Sequence, residues 1–96
     1  MKASLADVPT AAASRYLQQL CKHWAHKLEV EFSAAHGRIV FPGGAVATLD
    51  AAVDYLGVRV EVPDDDDLAR MQDVVARHLD RFAFREAPLA FDWRPV

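Results

Sequence analysis

The sequence predicts an α+β protein, a two-layer sandwich in which two helices lie on one face of a mainly antiparallel sheet. Two stretches repeat apolar residues at three- and four-residue spacing, which is typical of amphipathic helices. Several other stretches alternate apolar and polar residues, which is typical of strands with one buried face. The predicted order is strand, helix, four strands, helix, strand. Placing both helices against the same sheet face buries every apolar surface.

Length and composition predict one domain over residues 1–96. The chain has 96 residues, of which 52% are hydrophobic. A chain of this length supports one modest core. The first strand is predicted at residues 2–8, and Thr10 is predicted to cap a helix over residues 11–25. The apolar stripe of that helix consists of Ala13, Leu17, Leu20, Cys21 and Trp24.

Four strands are predicted between the two helices. Residues 28–32 alternate apolar and acidic side chains, and Ile39 and Phe41 belong to the next strand. Residues 46–49 form a weaker strand because their alanines have little strand preference. Residues 56–62 alternate most clearly of all, so this strand is predicted to have one buried and one wet face.

The second helix is predicted to begin at the acidic run Asp64–Asp67 and to end near Phe84. Carboxylates at a helix start can accept hydrogen bonds from free amides and favour the positive end of the dipole. Pro88 ends the helix. A last strand is predicted from the alternating apolar residues Leu89, Phe91 and Trp93.

Charge and apolar runs exclude several functional classes. The net charge is −3 and no block of Lys or Arg stands out, so we expect no nucleic-acid partner. No stretch approaches the roughly 18 apolar residues of a membrane helix. The single cysteine excludes an intrachain disulfide. We therefore expect a cytoplasmic protein without a targeting segment.

The histidines predict a candidate site for a divalent metal ion. His23 and His26 are three residues apart on the first helix and can be neighbours. A third ligand would come from His78, with His36 or Glu86 as alternatives. The metal set that we predict is His23, His26 and His78.

Cys21 is not part of that set. At about 100° per residue it points roughly 160° away from His23 and lies on the buried stripe. We interpret Cys21 as a small core residue. The alternative for the histidines is likewise structural, with His23 flanking the stripe, His26 solvated, and His78 packing its ring at the edge of the second stripe and hydrogen-bonding a carbonyl.

The second helix also carries a basic row, made by Arg70, Arg77 and Arg81, with Arg85 as an extension. Asp66 and Asp73 each precede an arginine by four residues, which favours a salt-bridged surface over an anion site. Both tryptophans are predicted to lie in the core, although either could line a ligand pocket.

Two segments resemble a bacterial family of domains of unknown function, the one numbered 2218 in that series. They are Ser14–Lys27 and His78–Glu86, followed by Trp93. The resemblance covers nearly the whole chain. It implies no established activity, and it implies an association with iron–siderophore uptake genes. The predicted strand order also resembles the TATA-binding-protein-like fold group, which carries no function with it.

These observations predict a non-enzymatic accessory protein that binds a ligand or a metal ion, with a link to iron–siderophore handling. The alternative is a homo-oligomeric interaction module, such as a homodimer formed through the charged sheet face or an exposed strand edge. An enzyme is disfavoured because the sequence shows no paired carboxylates, activated nucleophile or cofactor fingerprint.

Overall fold

The computed structural model describes all 96 residues. It confirms the α+β class, with two helices and one antiparallel sheet of six strands. The helices are α1 (Ala13–Ala25) and α2 (Leu68–Phe82). The strands are β1 (Lys2–Pro9), β2 (Glu29–Phe32), β3 (His36–Val40), β4 (Val46–Ala51), β5 (Tyr55–Val62) and β6 (Arg94–Pro95). No helix is long and apolar enough to span a membrane.

The strands lie in the order β2-β3-β4-β5-β1-β6. Successive hairpins place β2 to β5 side by side, because antiparallel neighbours need only short connections. The first strand then pairs with β5 along its whole length, from Lys2 opposite Val62 to Pro9 opposite Tyr55. This long-range pairing brings the N-terminus into the interior of the sheet, directly beside the strand that leads into α2.

Both helices lie on the same face of the sheet. Pairing places Ala6 and Leu49 opposite Val58, so these side chains share the face that the helices cover. Helix α1 packs across β2 to β5, and α2 packs against β5, β1 and α1. A core of 21 buried residues fills the space between the layers. The opposite face carries charges of both signs, among them Glu29, Glu31, Arg38, Arg59 and Glu61.

The start of α1 differs from the prediction. The helix begins at Ala13, its N-cap position is Ala12, and no side chain caps it. The hydroxyl of Thr10 accepts from the Ala12 amide at 3.1 Å and donates to the Glu86 carboxylate at 3.1 Å. Thr10 is therefore not the N-cap, because its side chain closes the turn before the helix and ties that turn to a distant segment.

Helix α2 begins as predicted and ends earlier. Asp67 is the N-cap and accepts a hydrogen bond from the Arg70 amide at 3.1 Å. The helix ends at Phe82 instead of Phe84, since Ala83 leaves the helical conformation and is itself buried. The chain turns away at this point and leaves the Phe84 ring 73% exposed.

The predicted last strand is mostly irregular. Only Arg94 and Pro95 pair with β1, and Leu89 is instead held by a hydrogen bond from its amide to Asp80 at 2.9 Å. Phe91 and Trp93 stack with ring centroids 5.5 Å apart. The alternating apolar residues thus pack against the core without strand pairing, because burial alone does not require a ladder.

Close packing of α1 on the sheet depends on Gly37 of β3. A Cβ atom at this position would lie 2.7 Å from the Cys21 sulfur and 3.4 Å from a Leu17 methyl group. Real Cβ contacts do not approach so closely, so the helix fits here only over a glycine. The small buried thiol of Cys21, predicted as a core residue, occupies the space that the missing side chain leaves.

We expect Gly37→Ala to lower the free energy of unfolding by about 1–3 kcal/mol, because the added methyl overpacks the layer. Removing the opposing sulfur with Cys21→Ala should restore part of that loss in the double variant. Gly57→Ala is the matched control, since a Cβ there meets nothing closer than 3.5 Å. Urea unfolding measures the stability of the wild type, both glycine variants and the double variant. Equal losses of unfolding free energy in Gly37→Ala and Gly57→Ala would contradict this account.

Candidate functional site

One flank of α1 faces α2 with a row of polar side chains. Arg15, Gln19 and His23 are spaced by four residues, so they lie one above another on the helix surface. The buried stripe lies beside them and includes Leu20 and Trp24. The fold therefore anchors α1 through its apolar side and leaves this polar row exposed along the boundary with α2.

His78 of α2 lies partly buried at the same boundary. Its Nδ1 is 2.6 Å from the carbonyl oxygen of Val74, one turn earlier in the helix. A carbonyl only accepts hydrogen bonds, so Nδ1 carries a proton. In the neutral ring this leaves the lone pair on Nε2. The His78 ring packs against Trp24, with centroids 4.6 Å apart.

His23 and His78 meet between the helices, with ring centroids 5.6 Å apart. The Phe82 ring lies edge-on to His23 at 5.8 Å, and Trp24 contacts Phe41 edge-on at 5.0 Å. We call His23, Trp24, Phe41, His78 and Phe82 the inter-helix aromatic cluster. It joins α1, α2 and the end of β3 through tilted and edge-on rings, which stabilise each other beyond area burial.

The environment of His23 keeps its imidazole neutral. One side of the ring packs into the cluster although its edge is exposed, and this desolvation lowers the pKa of His23 below its usual value. Repulsion from His78, Arg81 and Lys27 lowers the pKa further. A neutral imidazole can accept a hydrogen bond or bind a metal ion at neutral pH.

A pocket of about 280 Å³ opens next to the cluster. Its lining residues are Arg15, Tyr16, Gln19, Phe82, Phe84 and Arg85. The Phe82 ring is common to the pocket and the aromatic cluster, so the two features form one continuous site. We call the pocket the inter-helix pocket.

Glu86 holds the far side of the inter-helix pocket in place. The buried Tyr16 hydroxyl donates a hydrogen bond to the Glu86 carboxylate, and Thr10 donates to the same oxygen. The hydrogen bond to Glu86, followed by burial, raises the pKa of Tyr16 above its usual value. These contacts fix the segment after α2 against the start of α1.

The arginines divide into paired and unpaired groups. Arg77 forms an ion pair with Asp73 at 2.8 Å, and Arg70 lies 3.9 Å from Asp66, as the four-residue spacing predicts. No salt bridge includes the two pocket arginines. The guanidinium of Arg15 lies over the Tyr16 ring at 5.3 Å, and that of Arg85 over Phe84 at 5.7 Å.

The predicted metal residues are partly brought together. His23 and His78 are adjacent, whereas His26 is exposed at the C-cap of α1. No group of three or more His, Cys, Asp or Glu side chains is arranged to hold a metal ion. A three-histidine site therefore stays a prediction that requires His26 to move towards the pair.

The two alternative third ligands, His36 and Glu86, form other contacts in the structure. His36 lies in register with Asp50 next to the helix-facing Gly37, so its side chain is on the opposite sheet face. There its Nδ1 is 2.6 Å from the Asp50 carboxylate. His36 is therefore wrong as a partner for His23. One oxygen of Glu86 is occupied by two hydroxyl donors.

The sequence analysis did not identify five of the six residues that line the pocket, namely Arg15, Tyr16, Gln19, Phe82 and Phe84. Arg85 was noted only as an extension of the basic row. The four-residue spacing from Arg15 through Gln19 to His23 was a usable signal, because it marks one flank of a helix. No sequence signal showed that the chain turns after Phe82 and folds back beside that flank.

We expect Tyr16→Phe to lower the free energy of unfolding by about 1–2 kcal/mol, through loss of a hydrogen bond to a carboxylate. The raised pKa of Tyr16 means that the folded state keeps a proton that the unfolded chain loses above about pH 10. This stabilisation is complete below that pH and is lost as pH rises through the folded-state pKa. The difference between wild type and variant should therefore shrink in alkaline buffer.

Tyr55→Phe is the control, because the Tyr55 side chain is 41% exposed and has no such partner. Chemical denaturation from neutral to alkaline pH measures both variants. A Tyr16→Phe protein as stable as the Tyr55→Phe protein at neutral pH would contradict the anchoring role of the hydrogen bond.

The segments that carry the resemblance, Ser14–Lys27 and His78–Glu86, meet in space through the His23–His78 and Tyr16–Glu86 contacts. A family model described as an uncharacterized protein conserved in bacteria, DUF2218, matches residues 5–94. No curated protein matches the chain.

A solved structure, the NMR structure of PA4090 from Pseudomonas aeruginosa, is similar over nearly its full length. The two chains are 43% identical, and the match covers 99% of this chain and 97% of that chain. The TM-score is 0.78, so the two proteins share a fold as well as sequence. With its family model matched from residue 5 to residue 94, this chain belongs to the DUF2218 family of bacterial proteins.

Proposed function

We propose that this protein is a non-enzymatic accessory protein that binds a small anionic ligand in the inter-helix pocket. One observation carries the proposal. Arg15 and Arg85 lie at a pocket with aromatic walls, and neither guanidinium forms a salt bridge within the protein. On α2, by contrast, Arg70 and Arg77 form ion pairs with Asp66 and Asp73.

Positive charge near the pocket favours binding of an anionic ligand, although the whole chain carries a net charge of −3. Arg81 and Lys27 are close enough to His23 to lower the pKa of its imidazole, which shows that positive charge surrounds this end of the site. Guanidinium groups bind carboxylates and phosphates through two parallel hydrogen bonds. An anion in the inter-helix pocket would give Arg15 and Arg85 the negatively charged partner that neither has in a salt bridge within the protein.

The state of the nearby nucleophilic groups favours binding over catalysis. The Tyr16 hydroxyl is engaged with Glu86, and its pKa is raised, so it holds its proton at neutral pH. Burial raises the pKa of the Cys21 thiol to about 11, and its side chain is fully buried. Neither group is an activated nucleophile.

The test is an NMR titration of ¹⁵N-labelled protein with acetate, benzoate and inorganic phosphate in chloride-free buffer. At least one anion should shift the amides of Arg15, Gln19 and Arg85 saturably, because the ligand contacts both helix flanks. The double variant Arg15→Gln/Arg85→Gln should lose these shifts. A matched double variant on the outer face, Arg70→Gln/Arg77→Gln, should keep them.

The proposal fails if no anion of the panel gives saturable shifts at the pocket. It fails equally if the outer-face variant loses the shifts to the same extent as the pocket variant, since binding would then follow net charge alone. Well-dispersed spectra of both variants confirm that each protein is folded.

A metal ion bound by histidine is the second candidate function, and the contact between His23 and His78 favours it. The proton on Nδ1 of His78 leaves Nε2 for a ligand bond, an arrangement in which a carbonyl orients a metal-binding imidazole. Desolvation lowers the pKa of His23, which favours its neutral, metal-binding form. His26 would supply the third ligand.

Zinc titration observed through the histidine side-chain resonances tests this candidate. Binding at one equivalent should shift His23 and His78 together with His26, and His78→Ala should abolish the effect. His36→Ala is the control because His36 lies on the other sheet face. Absence of saturable shifts at millimolar zinc would remove the metal role.

The wider setting is also a proposal. We propose that the ligand takes part in iron–siderophore handling in the cytoplasm, and iron-limited growth of a deletion strain tests that link. The homodimer alternative would use the β2 edge, where Phe32 is 39% exposed. Glu29 and Glu31 line that short strand, and charged edges oppose strand addition.

The order of elements supports a TATA-binding-protein-like topology, which does not bear on function.

A further inference from the structure

We infer that the ligand of the inter-helix pocket is a planar aromatic monocarboxylate, with its ring between Phe82 and Phe84 and its carboxylate between Arg15 and Arg85. This inference rests on the proposed function and names its ligand class. It is carried by the combination of two aromatic walls with two unpaired guanidinium groups in one pocket.

The aromatic walls point to a flat apolar group. Phe82 ends α2 and is packed in the aromatic cluster, so its ring is held in position. Phe84 is 73% exposed, so its ring remains accessible to a ligand although the Arg85 guanidinium lies over it at 5.7 Å. Aromatic rings pair favourably in offset-stacked or edge-on geometry, and a planar ring between two phenylalanines gains both area burial and this pairing.

The polar groups point to a carboxylate with a single charge. Arg15 and Arg85 each present a planar fork of donors, which matches the two oxygens of a carboxylate. The Gln19 side chain also lines the pocket and its amide adds a donor. The Tyr16 hydroxyl is already engaged with Glu86, and the nearby Glu86 carboxylate disfavours a second negative charge on the ligand.

The size of the pocket suits a ligand of about one ring system. Its volume is about 280 Å³. This value lies near the lower end of the roughly 300–1,000 Å³ range of small-molecule sites. A substituted benzoate fits this space, whereas a bulky multi-ring ligand would extend into solvent.

The experiment compares the affinities of four compounds by NMR titration of the intact protein. Benzoate is the probe, benzamide keeps the ring without the charge, cyclohexanecarboxylate keeps the charge without the flat ring, and inorganic phosphate is a bare anion. We expect benzoate to bind with a millimolar Kd and each of the other three about tenfold more weakly. Arg85→Gln and Phe84→Ala should each weaken benzoate binding about tenfold, and Arg77→Gln should not change it.

The outcomes separate the inference from the proposed function. If phosphate or cyclohexanecarboxylate binds as tightly as benzoate, the pocket still binds anions and the aromatic class is overturned. If benzamide binds as tightly as benzoate, the carboxylate assignment is overturned. If none of the anions binds at the pocket, both the inference and the proposed function are overturned. Loss of benzoate binding in Arg77→Gln would overturn the assignment of the site.

Discussion

The structure depends on one constraint, which is that both amphipathic helices must bury their stripes on the same apolar face of a single sheet. The two helices lie side by side on this face, so α1 and α2 contact each other along their shared boundary. Side chains on the two flanks then meet whether or not they contribute to the core. His23, His78 and Phe82 are brought together in this way. The candidate site is thus a direct result of how the layers pack.

Small residues at the contact with β3 set the distance between α1 and the sheet. Gly37 and Cys21 allow the helix to approach β3 more closely than any larger pair would. This approach fixes the height of α1 above the sheet and hence the height of its flank beside α2. The cysteine that stands out in the sequence therefore has a packing role, and its fully buried thiol is kept protonated by desolvation.

The conspicuous residues of the two motif segments divide between packing and surface chemistry. Tyr16 and Glu86 form the contact that joins the segments, and Trp24 with His78 fills the boundary below it. The groups left available to a ligand are less conspicuous in the sequence. They are the unpaired arginines and the exposed ring of Phe84. The two motif segments therefore contain both the residues that build the walls of the pocket and the residues that we propose as its binding groups.

The sequence by itself determined the α+β class, both helices, an acidic cap within Asp64–Asp67 and the core role of Cys21, because periodicity and capping are local properties of the chain. It also placed the ion pairs of Arg70 and Arg77, which depend only on helical spacing. Tertiary structure alone decided that His36 faces away from His23, since sheet register sets the face of each strand residue. It likewise decided that Thr10, Tyr16 and Glu86 join and that a pocket forms beside them. These contacts span about seventy residues of sequence, and no local pattern encodes which distant side chains meet when two elements pack.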